Sequence, residues 1–190
     1  LTQGLLACLG TLYAASDSGR GTLSLDGDWA IAFDPEDKGL CQEWWRPSIL
    51  EPIATRKIPV PSCWEEHEED YEGVAWYTRE FTMPAEWKDR YVRLRFDAVN
   101  YLAEVWLNGK MVGSEESGFT PVELNVTPFL KFGEPNVVTV RVVGAAVRSE
   151  RSGQYVRNEV PAWRGACLGG IWQSVCLIAT DPVFVKDIFV

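Results

Sequence analysis

Along most of the chain, apolar and polar residues alternate with a period of two. In residues 91–97 (YVRLRFD), Val92, Leu94 and Phe96 fall on one side, and Arg93, Arg95 and Asp97 on the other. Successive strand residues point to opposite faces, so such a stretch offers one face to a core and the other to water. The same period predicts strands over 29–33, 74–83, 103–107, 137–143, 171–179 and 183–190. Turn formers separate them: Asp26-Gly27, Asn108-Gly109, Gly133-Glu134-Pro135-Asn136 and Asp181-Pro182. No stretch sustains a helical period. Residues 36–56 (EDKGLCQEWWRPSILEPIATR) allow one irregular or short helical excursion. Many short strands with regular turns predict an antiparallel sandwich or barrel.

Residues 100–130 are the most closely specified. Asn108-Gly109 suits a type I′ hairpin turn, which needs positive φ at both central residues. That turn pairs Leu107 with Lys110, Trp106 with Met111 and Val105 with Val112. Trp106 and Met111 then share one face, and Val105 and Val112 the other. A hairpin apolar on both faces needs cover on both, so part of it is expected to meet another domain. Thr127-Pro128 predicts a helical turn, with Thr127 as N-cap and proline at the first helical position.

Composition narrows the function classes. The 190 residues suit one domain comfortably, and 46% hydrophobic with 24% charged is ordinary for a globular chain. The nine tryptophans admit two uses, packing in the interior or stacking on the apolar faces of sugar rings. A net charge of −9 with no basic stripe excludes nucleic acid as a partner. The short apolar run from Leu5 to Ala15, then Ala14-Ala15-Ser16, fits an exported protein with a signal cleaved near Ser16. Leu5-Leu6-Ala7-Cys8 also resembles a bacterial lipoprotein box, in which Cys8 carries the lipid anchor. An N-terminal strand or helix of the folded domain is the other reading of this segment. The five cysteines have no Cys-x-x-Cys spacing, which removes a zinc ribbon or thioredoxin site and leaves buried free thiols as the default.

No catalytic constellation emerges from the residues. The single histidine, His67, lies in WEEHEEDYEG (64–73) among six carboxylates, where a calcium loop competes with a solvated acidic loop. The EF-hand spacing and its central glycine are absent, so the solvated loop is preferred and no metal is expected. A serine triad would lack its strand–elbow–helix motif. No carboxylate pair has the apolar, strand-end setting of a glycosidase. The glycines of 165–170 lead into a strand and not a phosphate-binding helix, so no cofactor is expected.

Six segments in order carry a resemblance: LDGDWAIAFD (25–34), IPVPSCWEE (58–66), YEGVAWYTREFTMP (71–84), RLRFDAVNYLAEVWLNGKMVG (93–113), GFTPVELNVTPFL (118–130) and GGIWQSVCLIATDP (169–182). Together they resemble the N-terminal, sugar-binding domain of glycoside hydrolase family 2, which includes β-galactosidases, β-glucuronidases and β-mannosidases. The resemblance implies an all-β fold, an antiparallel jelly-roll β-sandwich of the galactose-binding-domain type. It implies that an immunoglobulin-like domain and a TIM barrel follow, with both catalytic glutamates on the barrel, so no catalytic residue is assigned here. Residues 1–16 are expected to be the export signal remnant, 17–182 the jelly roll and 183–190 the start of the next domain. Loops 64–73 and 155–169 are those expected at the pocket rim, making Trp64, Glu65, Tyr71, Trp163 and Arg164 the candidate sugar contacts.

Family members often have a Trp-Tyr-Gly where this chain has Trp163-Arg164. Arg164 suits an acidic or hydroxyl-rich sugar, or an interdomain salt bridge. Glu115, Phe119 and Asn125 stand where histidine, tyrosine and aspartate are common in the family. The expected function is the non-catalytic first domain of a retaining β-glycosidase, exported to the periplasm or outer membrane of a bacterium. The alternative is a carbohydrate-binding module, standing alone or attached to an esterase.

Overall fold

The computed structural model describes residues 19–147, 162–163 and 166–185. Their strands are β1 (Gly21–Ser24), β2 (Gly27–Phe33), β3 (Arg56–Val60), β4 (Val74–Thr82), β5 (Tyr91–Phe96), β6 (Leu102–Leu107), β7 (Lys110–Glu116), β8 (Val122–Asn125), β9 (Pro135–Val143), β10 (Ala162–Trp163), β11 (Ala166–Cys167) and β12 (Val175–Thr180). Four form one sheet in the order β1-β12-β5-β8, and six form a second in the order β3-β2-β4-β9-β6-β7. Strands β10 and β11 pair as a short ribbon. All these pairings are antiparallel. The all-β jelly-roll sandwich expected from the sequence is the fold observed.

Alternation explains the core. From the smaller sheet, Val92, Leu94 and Phe96 of β5 and Val175, Leu177 and Ala179 of β12 point inward. They meet Trp29 and Ile31 of β2, Ala75, Tyr77 and Phe81 of β4, Val105 and Leu107 of β6, and Val138, Val140 and Val142 of β9. The strand cores predicted over 29–33, 74–83, 91–97, 103–107 and 137–143 are present, with ends moved by a residue or two. In 171–179 the strand begins only at Val175. Before it, Trp172 Nε1 donates to the Gly118 carbonyl (3.0 Å) and Val175 N–H to Asp26 Oδ1 (2.8 Å).

The larger sheet is apolar on its outer face as well. Ala32, Trp76, Trp106 and Val143 form a second cluster there, completed by Trp44, Leu50 and Ala54 from residues 34–54. This segment is the predicted excursion, with one short helix, α1 (Pro47–Leu50). On the second apolar face of the hairpin, Trp106 is therefore covered by the chain's own excursion, while Met111 beside it stays 44% exposed. Asp34, 2% exposed, anchors the start of that segment. Its carboxylate accepts hydrogen bonds from the Lys38 and Gly39 amides (2.8 Å each) and from Trp76 Nε1 (3.0 Å). Gly39 lies against the Trp76 indole where a Cβ would overlap it. Arg141, on the outer face of β9, donates to Asp37 Oδ1 (2.6 Å) and to Glu104.

Two local expectations change. The hairpin turn forms as predicted, with φ of 53° at Asn108 and 76° at Gly109, and Leu107–Lys110 and Trp106–Met111 pair. Val105, however, faces Gly113, because a bulge sets Val112 outside the ladder. Gly113 is the residue against which Leu124 of the other sheet presses; a Cβ there would stand 3.0 Å from Leu124 Cδ2. Thr127 is not an N-cap. It sits inside a 3-10 turn (Thr127–Phe129) and ties that turn to β5, accepting from Val92 N–H (2.8 Å) and donating to its carbonyl (3.2 Å). Within the segment expected to be a strand at 183–190, residues 183–185 are irregular; the rest lies outside the described residues. Residues 1–16, with Cys8, also lie outside them.

Replacing Asp34 with alanine strands three N–H donors, two of them buried. We expect a loss of about 3 kcal/mol, read from urea unfolding midpoints. Amide exchange should accelerate first at Lys38 and Gly39. An unchanged midpoint would show that the excursion does not depend on this carboxylate.

Candidate functional site

Residues 61–73 leave β3 at one end of the larger sheet and enter β4 at the other, so they run along the open edge between the sheets. There the backbone pairs with the segment before β12: Ser62 N–H donates to the Ile171 carbonyl and Trp64 N–H to the Gly169 carbonyl, both at 3.1 Å. The first turn of the loop is a 3-10 turn, Trp64–Glu66. It drives the Trp64 indole into the core, where it is 1% exposed. Its Nε1 donates to the Tyr71 carbonyl (3.1 Å), and the Tyr71 ring meets it edge-on at 5.5 Å. Gly169 leaves room for this indole, since a Cβ there would overlap it.

Tyr71 is also committed to structure. Its hydroxyl donates to the Val74 carbonyl (2.6 Å) and accepts from Val74 N–H (3.1 Å), and its ring packs edge-on against Phe33 at 4.6 Å. Burial pushes this phenol up to about 12. Glu65 reaches across to the neighbouring segment: its Oε1 accepts from Gly169 N–H (2.7 Å), while its Oε2 is buried with no hydrogen-bond partner. Burial raises the Glu65 carboxyl above its ordinary value, against the opposing pull of its backbone hydrogen bonds. Burial also raises Glu72, and it lifts the Cys63 thiol to about 11 with help from Glu65 and Glu66.

The acidic loop is pinned by a cation. Arg56 on β3 contacts Glu68 (2.5 Å), donates to the His67 carbonyl (2.7 Å) and lies over the Phe33 ring. His67 Nε2 lies 3.3 Å from Ser62 Oγ. Among the described residues, no group of three His, Cys, Asp or Glu side chains could hold a metal ion.

Trp64, Glu65 and Tyr71 are thus brought together, with the indole turned inward and both polar side chains bonded to backbone. Trp163 lies on β10, and its side chain is outside the described residues, as is Arg164 altogether. Two residues not singled out from the sequence share this end of the sandwich. Asn100 exchanges backbone hydrogen bonds with Gly170 (2.9 and 3.0 Å) and donates its side-chain amide to the Leu168 carbonyl. Tyr77 buries its hydroxyl, and the absence of a side chain at Gly170 leaves room for it. Both sit in apolar or strand-like stretches, where nothing local marks them. The arrangement can hold the 168–171 segment in place. Glu72 lies close enough for its charge to raise Glu65 further, while Glu65 Oε1 is spent on the Gly169 amide.

Residues 68–181 match the family described as "Glycosyl hydrolases family 2, sugar binding domain". A β-glucuronidase of Canis lupus familiaris is 33% identical over 143 residues, which span 70% of this chain and 22% of that enzyme. A β-galactosidase of Thermoanaerobacter pseudethanolicus is 30% identical over 177 residues, 90% of this chain and 22% of that enzyme. The solved β-glucuronidase of Ruminococcus gnavus, in complex with an N1-substituted uronic isofagomine, superposes with a TM-score of 0.71 at 29% identity, covering 88% of this chain and 31% of that one. The chain spans about a fifth of the length of these two curated relatives.

A carboxyl whose pKa is raised by folding is stabilising below its unfolded value, and that contribution is lost as pH rises through the folded pKa. Glu65 is in that position, shifted upward from 4.5. Glu65→Gln keeps an oxygen for Gly169 and cannot ionise. The variant should gain stability relative to the parent as pH rises from about 4 to 7, measured by urea unfolding at each pH. Parallel stability curves would show that the carboxylate is not strained by its setting.

Proposed function

Because this chain belongs to the glycosyl hydrolases of family 2, as a sugar binding domain of that family, we propose that it is the non-catalytic N-terminal domain of a retaining β-glycosidase. The observation that carries this reading is coverage: matches extending over 70% to 90% of the chain account for only 22% of the relatives' length. On this reading the catalytic acid and nucleophile are supplied by parts of the enzyme outside these residues. The site geometry supports it, because Glu65 spends its carboxylate on the Gly169 amide and Tyr71 spends its hydroxyl on Val74.

In this proposal the domain, residues 17–182, packs beside the catalytic unit. Its loops 64–73 and 155–169 reach the pocket rim, with Trp64, Glu65, Tyr71, Trp163 and Arg164 the residues proposed to form it. Residues 183–190 begin the following domain. Phe184 supports a docked connection, since its ring stacks on Tyr91 (5.5 Å) and lies over the Arg93 guanidinium (4.5 Å). Export, a lipid anchor at Cys8 and a periplasmic or outer-membrane location are parts of the proposal that rest on residues 5–16 alone.

The purified 190-residue chain should not turn over nitrophenyl β-glucuronide, β-galactoside or β-mannoside. Extending it with the residues encoded downstream should bring activity on one of them. Turnover by the short chain that survives repurification would overturn the proposal.

A further inference from the structure

The sequence holds a single Asn-x-Thr/Ser triplet, Asn125-Val126-Thr127. In an exported chain such a triplet is the acceptor for an N-linked glycan: the asparagine takes the sugar, and recognition needs the hydroxyl two residues on. Short motifs recur by chance, so the setting of the triplet in the fold carries the argument. Asn125 is the last residue of β8 and is exposed. It lies opposite Arg93 of β5, on the side of the smaller sheet away from the core, while Val126 is fully buried. Among the described residues β8 pairs only with β5, which makes it an edge of that sheet. A glycan on Asn125 projects into water from there, and a bulky solvated group at an edge strand also blocks pairing with another chain.

Thr127 is in the opposite condition. Its hydroxyl accepts from Val92 N–H (2.8 Å) and donates to the Val92 carbonyl (3.2 Å), and its own N–H donates to Asn125 Oδ1 (3.1 Å). The hydroxyl that a transferase has to read is spent on β5. The folded domain therefore tolerates a glycan at Asn125 but is a poor acceptor for one. We propose that Asn125 is an N-glycosylation site, modified before the 125–127 segment docks on β5. The step joins Asn125 Nδ2 to the anomeric carbon of an oligosaccharide carried on a polyprenyl pyrophosphate. The bond from that carbon to the pyrophosphate oxygen breaks, the lipid pyrophosphate leaves, and Nδ2 gives up a proton. The topology supplies the interval. In the sheet order β1-β12-β5-β8, β5 gains its other neighbour only once Val175–Thr180 has been made, well after Asn125 has emerged. The inference rests on the export part of the proposed function and on nothing in its catalytic part.

The chain secreted from insect cells behind a supplied, cleavable leader tests the site. Intact mass should show one glycan that peptide N-glycosidase removes. Asn125→Gln should lack it, and Thr127→Ser, which keeps the hydroxyl, should retain it. Because the leader is supplied, a bare Asn125 sinks this inference without touching the export reading. The timing is tested with purified oligosaccharyl transferase and a lipid-linked oligosaccharide. Unglycosylated chain made in a bacterial cytoplasm is compared with a peptide of residues 118–132. The folded chain should be modified at least about tenfold more slowly than the peptide, since two hydrogen bonds of Thr127 must open first. A secreted, folded chain without the glycan would overturn the proposal, as would equal rates for the folded chain and the peptide.

Discussion

The larger sheet has two apolar faces, and each must be covered. Its central strand β9 is buried at nearly every position, with no alternation between core and solvent. A strand of that kind belongs inside a layered structure. The smaller sheet covers one face. The other is closed by residues 34–54, which contain only one short helix and cannot rely on regular backbone pairing for their shape. The Asp34 carboxylate supplies that shape, fixing two amides of the excursion and the Trp76 indole beneath it. Arg141, 3% exposed between Asp37 and Glu104, clamps the same layer from the sheet side. Buried ion pairs give little net stability but penalise any arrangement that separates them. Here they specify which way the excursion lies.

The same requirement governs the edge where the candidate loop runs. Backbone groups at an open edge must find partners. Ser62 and Trp64 donate to Ile171 and Gly169, and Glu65, Asn100 and Tyr71 add side-chain bonds to backbone groups there. A loop whose polar groups are bonded to backbone is a support. That suits a domain holding part of a pocket wall for a neighbour. At the Phe119–Trp172 corner the indole donates to the Gly118 carbonyl and the Phe119 ring stays mostly in water.

Much of the architecture was legible in the sequence. Period-two alternation located the long strands, and Asn108-Gly109 fixed a turn whose geometry only such residues adopt cheaply. The short strands were harder. Strands β1 (GTLS), β3 (RKIPV) and β8 (VELN) are too brief or too polar to show a period, and neighbours in the sheet stabilise them. At the site, the family resemblance pointed to loop 64–73 and so to Trp64, Glu65 and Tyr71 together. Nothing local revealed that Glu65 would bond to Gly169, 104 residues away, or that Trp64 would turn inward.

The division has a physical basis. Sequence by itself located the long strands and the turns and left a sandwich or a barrel, between which the family resemblance chose, because pleat period and turn dihedrals depend on residues a few positions apart. Tertiary structure decided the bulge at Val112, the tethering role of Thr127, the cover on the second face of the sheet and the inward turn of Trp64. Each is set by what a distant segment leaves room for: Leu124 pressing on Gly113, Val92 within reach of Thr127, Trp44 and Leu50 over Trp76, and a missing side chain at Gly169.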